Sequence, residues 1–300
     1  MADVTKDGML NLVGAGKTIT MHTVTLPRPA TGGINATGIF AYAGAKGLGS
    51  PSPDVYESAG FGDGGIVSSG RFNTRPIEIP IVCTARGLST QAAARTQLNT
   101  FVRDFMIAVQ DPGAYLRIEN PFSSDDGSLY LRLSIQLTDS IDWVYGDDTD
   151  GSTWVKTVVP LKSGNPFWVG ETAITTTLSN LSGSQSVTIK GNAPALPVFN
   201  VTARTSITTA ALTIAITPVT LPHQATRFGW SAASGVTSGG TGVLTPESCS
   251  LSGIFTNSVS VFSGGLSWMK LYNGSNTVAI SSTNIQSVSM AYYPRYIGVI

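Results

Sequence analysis

Charge is what this sequence runs short of. No aspartate occurs after Asp150, and of the 18 basic and 18 acidic residues only seven lie beyond Gly170: Glu171, Lys190, Arg204, Arg227, Glu247, Lys270 and Arg295. A soluble domain ordinarily displays roughly a quarter charged residues, so the C-terminal part must solvate itself with Ser, Thr, Asn and Gly. Short neutral groups cost less to bury at a packed interface than charges, which must be paired or desolvated, so this composition suits a protein built into a larger assembly. Cysteine is nearly absent as well. Cys83 and Cys249 lie in opposite halves, which excludes a disulfide framework or paired metal spacing and predicts two buried small hydrophobes made in a reducing cytoplasm. The balanced charge removes the electrostatic footprint of a nucleic-acid binder or polybasic membrane anchor. No stretch approaches 18 uninterrupted apolar residues, and Met1–Asp7 lacks a basic region leading into an apolar run. The expectation is a chain with neither a cleaved signal nor a membrane span.

What is present reads as mainly β, with material for two domains, residues 1–170 and 171–300. Leu10–Leu26 alternates apolar and polar residues on both sides of a Gly-rich turn, the period of a half-buried hairpin. Ala30–Gly70 holds eleven glycines and little periodicity, which predicts a long excursion or arm. In Arg75–Arg86, Ile77, Ile79, Ile81 and Cys83 share one face, and Pro80, lacking an N–H, predicts an edge or bulge. One helix is expected over Ala92–Val109, capped by Ser89 or Thr90, with Ala94, Leu98, Phe101, Val102, Phe105 and Val109 on its apolar face. Asp111-Pro112-Gly113 ends it. Strands follow at Ala114–Glu119, Leu129–Thr138, where Leu129, Leu131, Leu133, Ile135 and Leu137 alternate, and Trp154–Leu161, with an acidic hairpin tip at Tyr145–Ser152. Beyond Thr172, short runs at Ser186–Lys190, Pro197–Ala203, Ala211–Ile216, Ser258–Phe262, Trp268–Tyr272, Thr277–Ser281 and Ser287–Tyr292 are separated by turn residues. A series of short strands without a helix predicts a sandwich or barrel.

Candidate chemistry is sparse. Gly16-Lys17-Thr18 has the end of a phosphate-binding loop, but Asn11 stands where its first glycine belongs and a strand follows where a helix is needed. Gly60-Phe61-Gly62-Asp63-Gly64-Gly65 has the letters of a dinucleotide fingerprint without the strand and helix that give it meaning. Asp148, Asp150 and Gly151 match part of a calcium loop whose first and twelfth positions, Gly146 and Thr157, carry no ligand. His22 and His223 have no partner at metal-ligand spacing, and no Gly-x-Ser-x-Gly elbow occurs. The expectation is no catalytic, cofactor-binding or metal residue. Trp230, Trp268, Tyr272, Tyr292, Tyr293 and Tyr296 supply either a sugar-stacking platform, with Trp230 or Trp268 as stacking residue, or sandwich core and interface.

Several of these segments, in this order, resemble the distal tail (Dit) proteins of long-tailed bacteriophages. They are the Arg75-Pro76-Ile77-Glu78-Ile79 strand, the Ala92–Val109 helix, the Asp111-Pro112-Gly113 strand entry, the leucine-alternating strand, and Trp154–Trp168 ending in Asn165-Pro166-Phe167-Trp168. Gly191–Phe199 and Leu271–Val278 are similar to the family's entry into its second domain and to a late strand there. Asn165 stands where the family has aspartate, the Ala30–Gly70 excursion is long, and Tyr292–Ile300 has no obvious counterpart. The resemblance implies a structural virion protein with no active site and no cofactor, made in the host cytoplasm. Family members form rings, commonly hexamers, at the end of the tail tube. It implies a tail-tube-like β-sandwich or barrel with one flanking helix over residues 1–170, lining the ring, and a galectin-like β-sandwich over 171–300, pointing outward. The implied partners are further copies of the chain, the tail tube protein, the hub or tail-associated protein, the tape measure protein, and fibres or receptor-binding proteins held outside. The Ala30–Gly70 arm or the tip near Gly146 is expected to reach a neighbouring subunit, and the low-charge second domain to bind a partner protein. The alternative is a carbohydrate-binding module contacting bacterial surface glycans.

Overall fold

A computed structural model describes residues 10–23, 37–41, 45–51, 53–59, 65–85, 88–145, 154–220, 225–232, 237–245, 259–263 and 269–298. The chain divides into two compact units: Met1–Pro121 with Leu129–Trp168 and Ile297–Ile300, and Phe122–Ser128 with Val169–Tyr296.

The first unit contains β1 (Leu10–Gly14), β2 (Lys17–Thr23), β3 (Thr37–Ala41), β4 (Pro53–Ala59), β5 (Gly65–Phe72), β6 (Arg75–Ala85), α1 (Gln91–Val109), β7 (Tyr115–Glu119), β8 (Tyr130–Ser134), β9 (Gln136–Leu137), β10 (Val144–Tyr145) and β11 (Trp154–Ser163). Its main sheet runs β10-β11-β6-β3-β2-β1-β7-β8, and β9 returns to pair with β11. Because β9 continues β8 past a break at Ile135, the path closes on itself as a barrel. Among the described residues of these strands, β2 and β3 pair in parallel. The interior is an alternation of inward residues: Cys83, Ile81, Ile79 and Ile77 of β6 stand opposite Val155, Thr157, Val159 and Leu161 of β11. The β1–β2 hairpin turns through Ala15 and Gly16, both at positive φ, the tight turn whose twist matches its strands. The Asp111 carboxylate accepts the Ala15 N–H, which ties this turn to the end of α1.

The helix begins where the sequence places it. Thr90 is extended and its Oγ accepts from Ala93 N–H at 3.2 Å, satisfying one of the donors a helix start leaves open. It packs on β6, β1 and β2. Phe105 meets Trp143 edge to face at 6.1 Å, and Lys17 of β2 bonds Asp104 at 3.1 Å. Ala94, Leu98, Phe105 and Val109 are buried as expected, but Phe101 and Val102 are half-buried and small Ala108 is fully covered. A helix lying on a curved sheet meets it along a narrow strip.

Three readings of this unit change. The Ala30–Gly70 stretch is not an unstructured excursion throughout: β3 joins the barrel between β2 and β6, and β4 and β5 form a separate two-stranded hairpin. Pro80 lies in an internal strand without a bulge, opposite Val158. Glu78 and Lys46 exchange both backbone bonds, so by strand alternation the N–H that Pro80 lacks faces the same side, where β3 has ended at Ala41. Finally, Leu131, Leu133 and Ile135 are core, whereas Leu129 is 68% exposed and Leu137 half-buried. Leu129 precedes the paired strand. The tip between β10 and β11, residues 146–153, lies outside the described residues.

β12 (Trp168–Gly170) begins on the last residue of the first unit, and the second unit contains β13 (Ile174–Leu178), β14 (Ser184–Ile189), β15 (Val198–Ala203), β16 (Ala210–Pro218), β17 (Thr226–Ala232), β18 (Thr241–Leu244), β19 (Val259–Ser263), β20 (Gly274–Thr283), β21 (Ile285–Tyr292) and β22 (Arg295–Tyr296). One sheet runs β13-β21-β15-β18 and the other β14-β20-β16-β17-β19. Leu178, Phe199, Val201, Val288, Met290 and Tyr292 of the first and Ile189, Leu212, Ile214, Phe228, Trp230, Val278 and Ile280 of the second form one hydrophobic core, the sandwich that the short strands predict. The helical turn Ser123–Asp126 joins this unit: Phe122 stacks on Tyr296 at 5.2 Å, and the buried Asp126 carboxylate accepts from Tyr296 OH. The strand expected over Trp268–Tyr272 is not formed among the described residues: Leu271 makes an isolated bridge to Ala195, and Trp268 lies outside the described residues. Asn276 explains the local shape. Its buried amide donates to Tyr272 and Gly274 carbonyls and accepts from Tyr272 N–H, closing a turn that a strand would leave open.

Candidate functional site

Two features of the described surface ask for an explanation in terms of binding. The first is a cleft of about 520 Å³ in the first unit, between the loop at residues 45–51 and the start of β6. The loop is pinned at several points. Lys46 and Glu78 exchange backbone bonds at 2.9 and 3.2 Å and their side chains pair at 2.8 Å. Leu48 is buried, and its carbonyl accepts from the indole N–H of the fully buried Trp168 at 3.1 Å. Gly47 at φ +78° lets the loop pass over the Pro76 carbonyl, and Gly298 lies against Gly49 and Ser50.

Arg75 lines this cleft and is 3% exposed. Its Nη2 donates to the Ile297 carbonyl at 3.0 Å, while Nε and Nη1 are buried without an acceptor. No acidic residue pairs with it among the described residues, and desolvation alone pulls its pKa down to about 10. Glu78, the acid lining the cleft, is engaged by Lys46, whose own pKa that contact raises. The sequence carried a signal for this residue that no motif captures. Arg75 has the same parity as Ile77, Ile79 and Ile81, which puts a cation on the inward face of an apolar strand.

The second feature is how the second unit realises its shortage of charge. On the outer face of the five-stranded sheet, Ser186 stands opposite Thr277, Thr188 opposite Ser275, Thr213 opposite Ser281 and Gly229, and Ala215 opposite Ala279 and Arg227. Arg227 is the single charge in that array. On the outer face of the other sheet, Thr175 and Val198 flank Ala291, Thr177 and Asn200 flank Ser289, and Thr202 stands between Ser287 and Thr241. Both faces are built from small neutral residues, the composition expected where charges are depleted at the centre of an interface.

The residues singled out for chemistry do not converge. Lys17 and Thr18 lie in β2, with Lys17 paired to Asp104, so no helix follows to complete a phosphate loop. His22 is in β2 and Gly65 opens β5. His223, Glu247, Trp268, Cys249, Gly60–Gly64 and the acidic tip with Asp148, Asp150 and Gly151 lie outside the described residues. Among the described residues no three His, Cys, Asp or Glu side chains gather at metal-holding distance, and no helix is long and apolar enough to cross a membrane. Cys83 is fully buried, which pushes its pKa up to about 12. Of the two roles open to the aromatic residues, core is the one met by Trp230, Tyr292 and Tyr296, each 3% exposed or less because they fall on inward strand positions; Tyr272 is half-buried and Tyr293 is exposed.

No protein-family model and no curated protein matches the sequence. Nine chains among solved structures do match. The crystal structure of SPP1 Dit (gp 19.1), described as a paradigm of the hub adsorption apparatus in Gram-positive infecting phages, is 12% identical with a TM-score of 0.56. The match covers 95% of this chain and 98% of that one. The baseplate of phage P2 in its activated conformation with calcium gives 10% identity and a TM-score of 0.42 over 97% of this chain and 99% of that one. The chain therefore has the mainly β fold of SPP1 Dit, and the resemblance carried by its sequence segments is met at the level of fold.

Proposed function

We propose that this chain is a structural protein of a phage tail tip. It forms a ring, of six copies on the family pattern, that joins the tail tube to the hub or baseplate and anchors peripheral fibres or receptor-binding proteins. The observation that carries the reading is the likeness to the SPP1 hub protein over nearly the whole of both chains. In this reading residues 1–170 form the ring around the lumen, and the galectin-like sandwich of 171–300 points outward with its neutral faces toward tail partners. The chain catalyses nothing and resides in the virion.

Two properties of the described residues support this. The β4–β5 hairpin stands apart from the barrel with its own unpaired edges, and an exposed strand edge is a template for pairing with the next copy around a ring. The two neutral faces of the second unit are cheap to desolvate against protein. Burial of Trp230 removes one of the two residues, Trp230 or Trp268, that could serve as the stacking residue of the glycan-binding alternative.

The test is the absolute mass of the purified full chain by light scattering, followed by negative-stain imaging. A ring near six copies with a central pore is expected. A chain that stays monomeric alone and also when mixed with purified tube and hub proteins would overturn the reading. Deletion of residues 53–72 is expected to abolish or weaken the ring, and intact rings from that variant would remove the hairpin from the interface.

A further inference from the structure

The Arg75 cleft has no role in the reading above, and its chemistry points to a specific kind of occupant. A guanidinium presents five N–H donors, and here the structure supplies an acceptor to Nη2 only, leaving Nε and Nη1 buried and unmet. Buried donors without acceptors are rare and costly, and a buried cation without a counter-charge is more so. Among the described residues of the unit nothing offsets it. Lys46 and Glu78 at the rim neutralise each other, so the cleft keeps one uncompensated positive charge at its wall.

We propose that this cleft receives a carboxylate side chain from another protein chain, with Arg75 as its receptor. A single negative charge is required, because the cleft holds one unbalanced cation. A phosphate would need the several donors and cations with which such sites are built. The volume of about 520 Å³ is large for a lone acetate-sized ion but suits a segment of chain carrying one acid. A tethered carboxylate is also positioned by the contacts of its own backbone, whereas a free one has only this guanidinium to hold it. The site uses the loop pinned by Trp168, Glu78 and Gly298, so it is preformed rather than assembled by the ligand. The inference takes from the tail-tip reading only that the chain works among other protein chains.

The test uses the full chain, the Arg75→Met variant and sodium acetate as the probe. Arg75→Met replaces the cation with an apolar group of similar length. Because the free chain holds an uncompensated buried charge, the variant is expected to melt at or above the wild-type temperature. A clearly lower melting temperature would mean that Arg75 is satisfied within the chain and would overturn the proposal. At matched ionic strength, about 0.5 M acetate is expected to raise the wild-type melting temperature by about 2–4 °C over chloride and to leave the variant unmoved. Equal melting in both salts, or the same gain in the variant, would overturn it. Half-saturation by acetate below about 1 mM would make this a site for a free small carboxylate and overturn the second-chain source. The outcome is separable from the ring test: a monomer with an acetate response through Arg75 retains the cleft and loses the ring, and a ring without that response does the reverse.

Discussion

Substituting Gly47 by alanine tests whether the loop at residues 45–51 is held as described. Gly47 has φ +78°, and a Cβ there would stand 2.0 Å from the Pro76 carbonyl oxygen and 3.0 Å from Ile77 Cα. An ordinary C···O approach is about 3.3–3.6 Å, so roughly 1.4 Å must be found against backbone. That backbone cannot easily retreat, because Pro76 and Ile77 are paired with Lys162 and Leu161 of β11 on their other side. The left-handed conformation costs a Cβ about 1–2 kcal/mol and overpacking against a fixed wall about 1–3 kcal/mol. The total of about 2–5 kcal/mol is relieved only if the loop lifts, which breaks the Lys46–Glu78 bridge and the Trp168–Leu48 bond. Amide hydrogen exchange reads this directly, since Lys46 and Glu78 N–H groups bond each other's carbonyls. Their protection is expected to fall by about 30-fold or more, the factor that 2 kcal/mol corresponds to. Gly49→Ala is the control in the same loop, because a Cβ there meets nothing within 4 Å, and its effect should stay within about 0.5 kcal/mol. Unchanged protection in Gly47→Ala would refute the packing of the loop on β6, and with it the shape of the cleft.

Thr90→Ala removes the acceptor for Ala93 N–H and is expected to lower stability by about 1 kcal/mol in urea unfolding, with Thr90→Ser recovering most of it. The Ala15 and Gly113 N–H groups hold the Asp111 carboxyl below its ordinary value of 3.8. A depressed folded pKa contributes stability above the unfolded value that is lost as pH falls through the folded one. The acid loss of stability below pH 3.8 should therefore be shallower in Asp111→Asn than in the wild type, as read from urea midpoints across that range. Cys83, with its thiol pushed up to about 12 by burial, should resist iodoacetamide at about pH 8 in the native chain and react once urea unfolds it. Native labelling at Cys83 would show that β6 is not the closed interior strand described.

Much of the fold was legible because periodicity is a local property. The parity of Ile77, Ile79, Ile81 and Cys83, the Thr90 cap, and the short neutral strands beyond Thr172 each report burial through the spacing of a few neighbouring residues. Strands with weaker alternation escaped: Ile174–Leu178 has threonine at its three central positions, and Thr226–Ala232 and Thr241–Leu244 carry glycine. Their membership in a sheet is set by the partners that cover them. The same holds for β3, whose Gly-rich surroundings conceal a strand that pairs on both sides.

By itself, then, the sequence determined what each segment can do locally: which face of a strand seeks the core, where the helix starts, and that the second unit must meet its surroundings with neutral hydroxyls and amides. Only the tertiary structure decided what depends on residues far apart in the chain. Leu129–Thr138 breaks at Ile135 because β7 and β11 claim its two ends, and Trp230 and Tyr292 are core because two sheets close over them. Arg75 is left with unmet donors because the described residues that fold around it bring the carbonyl of Ile297 and no acid. Solvation and pairing are settled by the whole packed neighbourhood, and no window of sequence contains that neighbourhood.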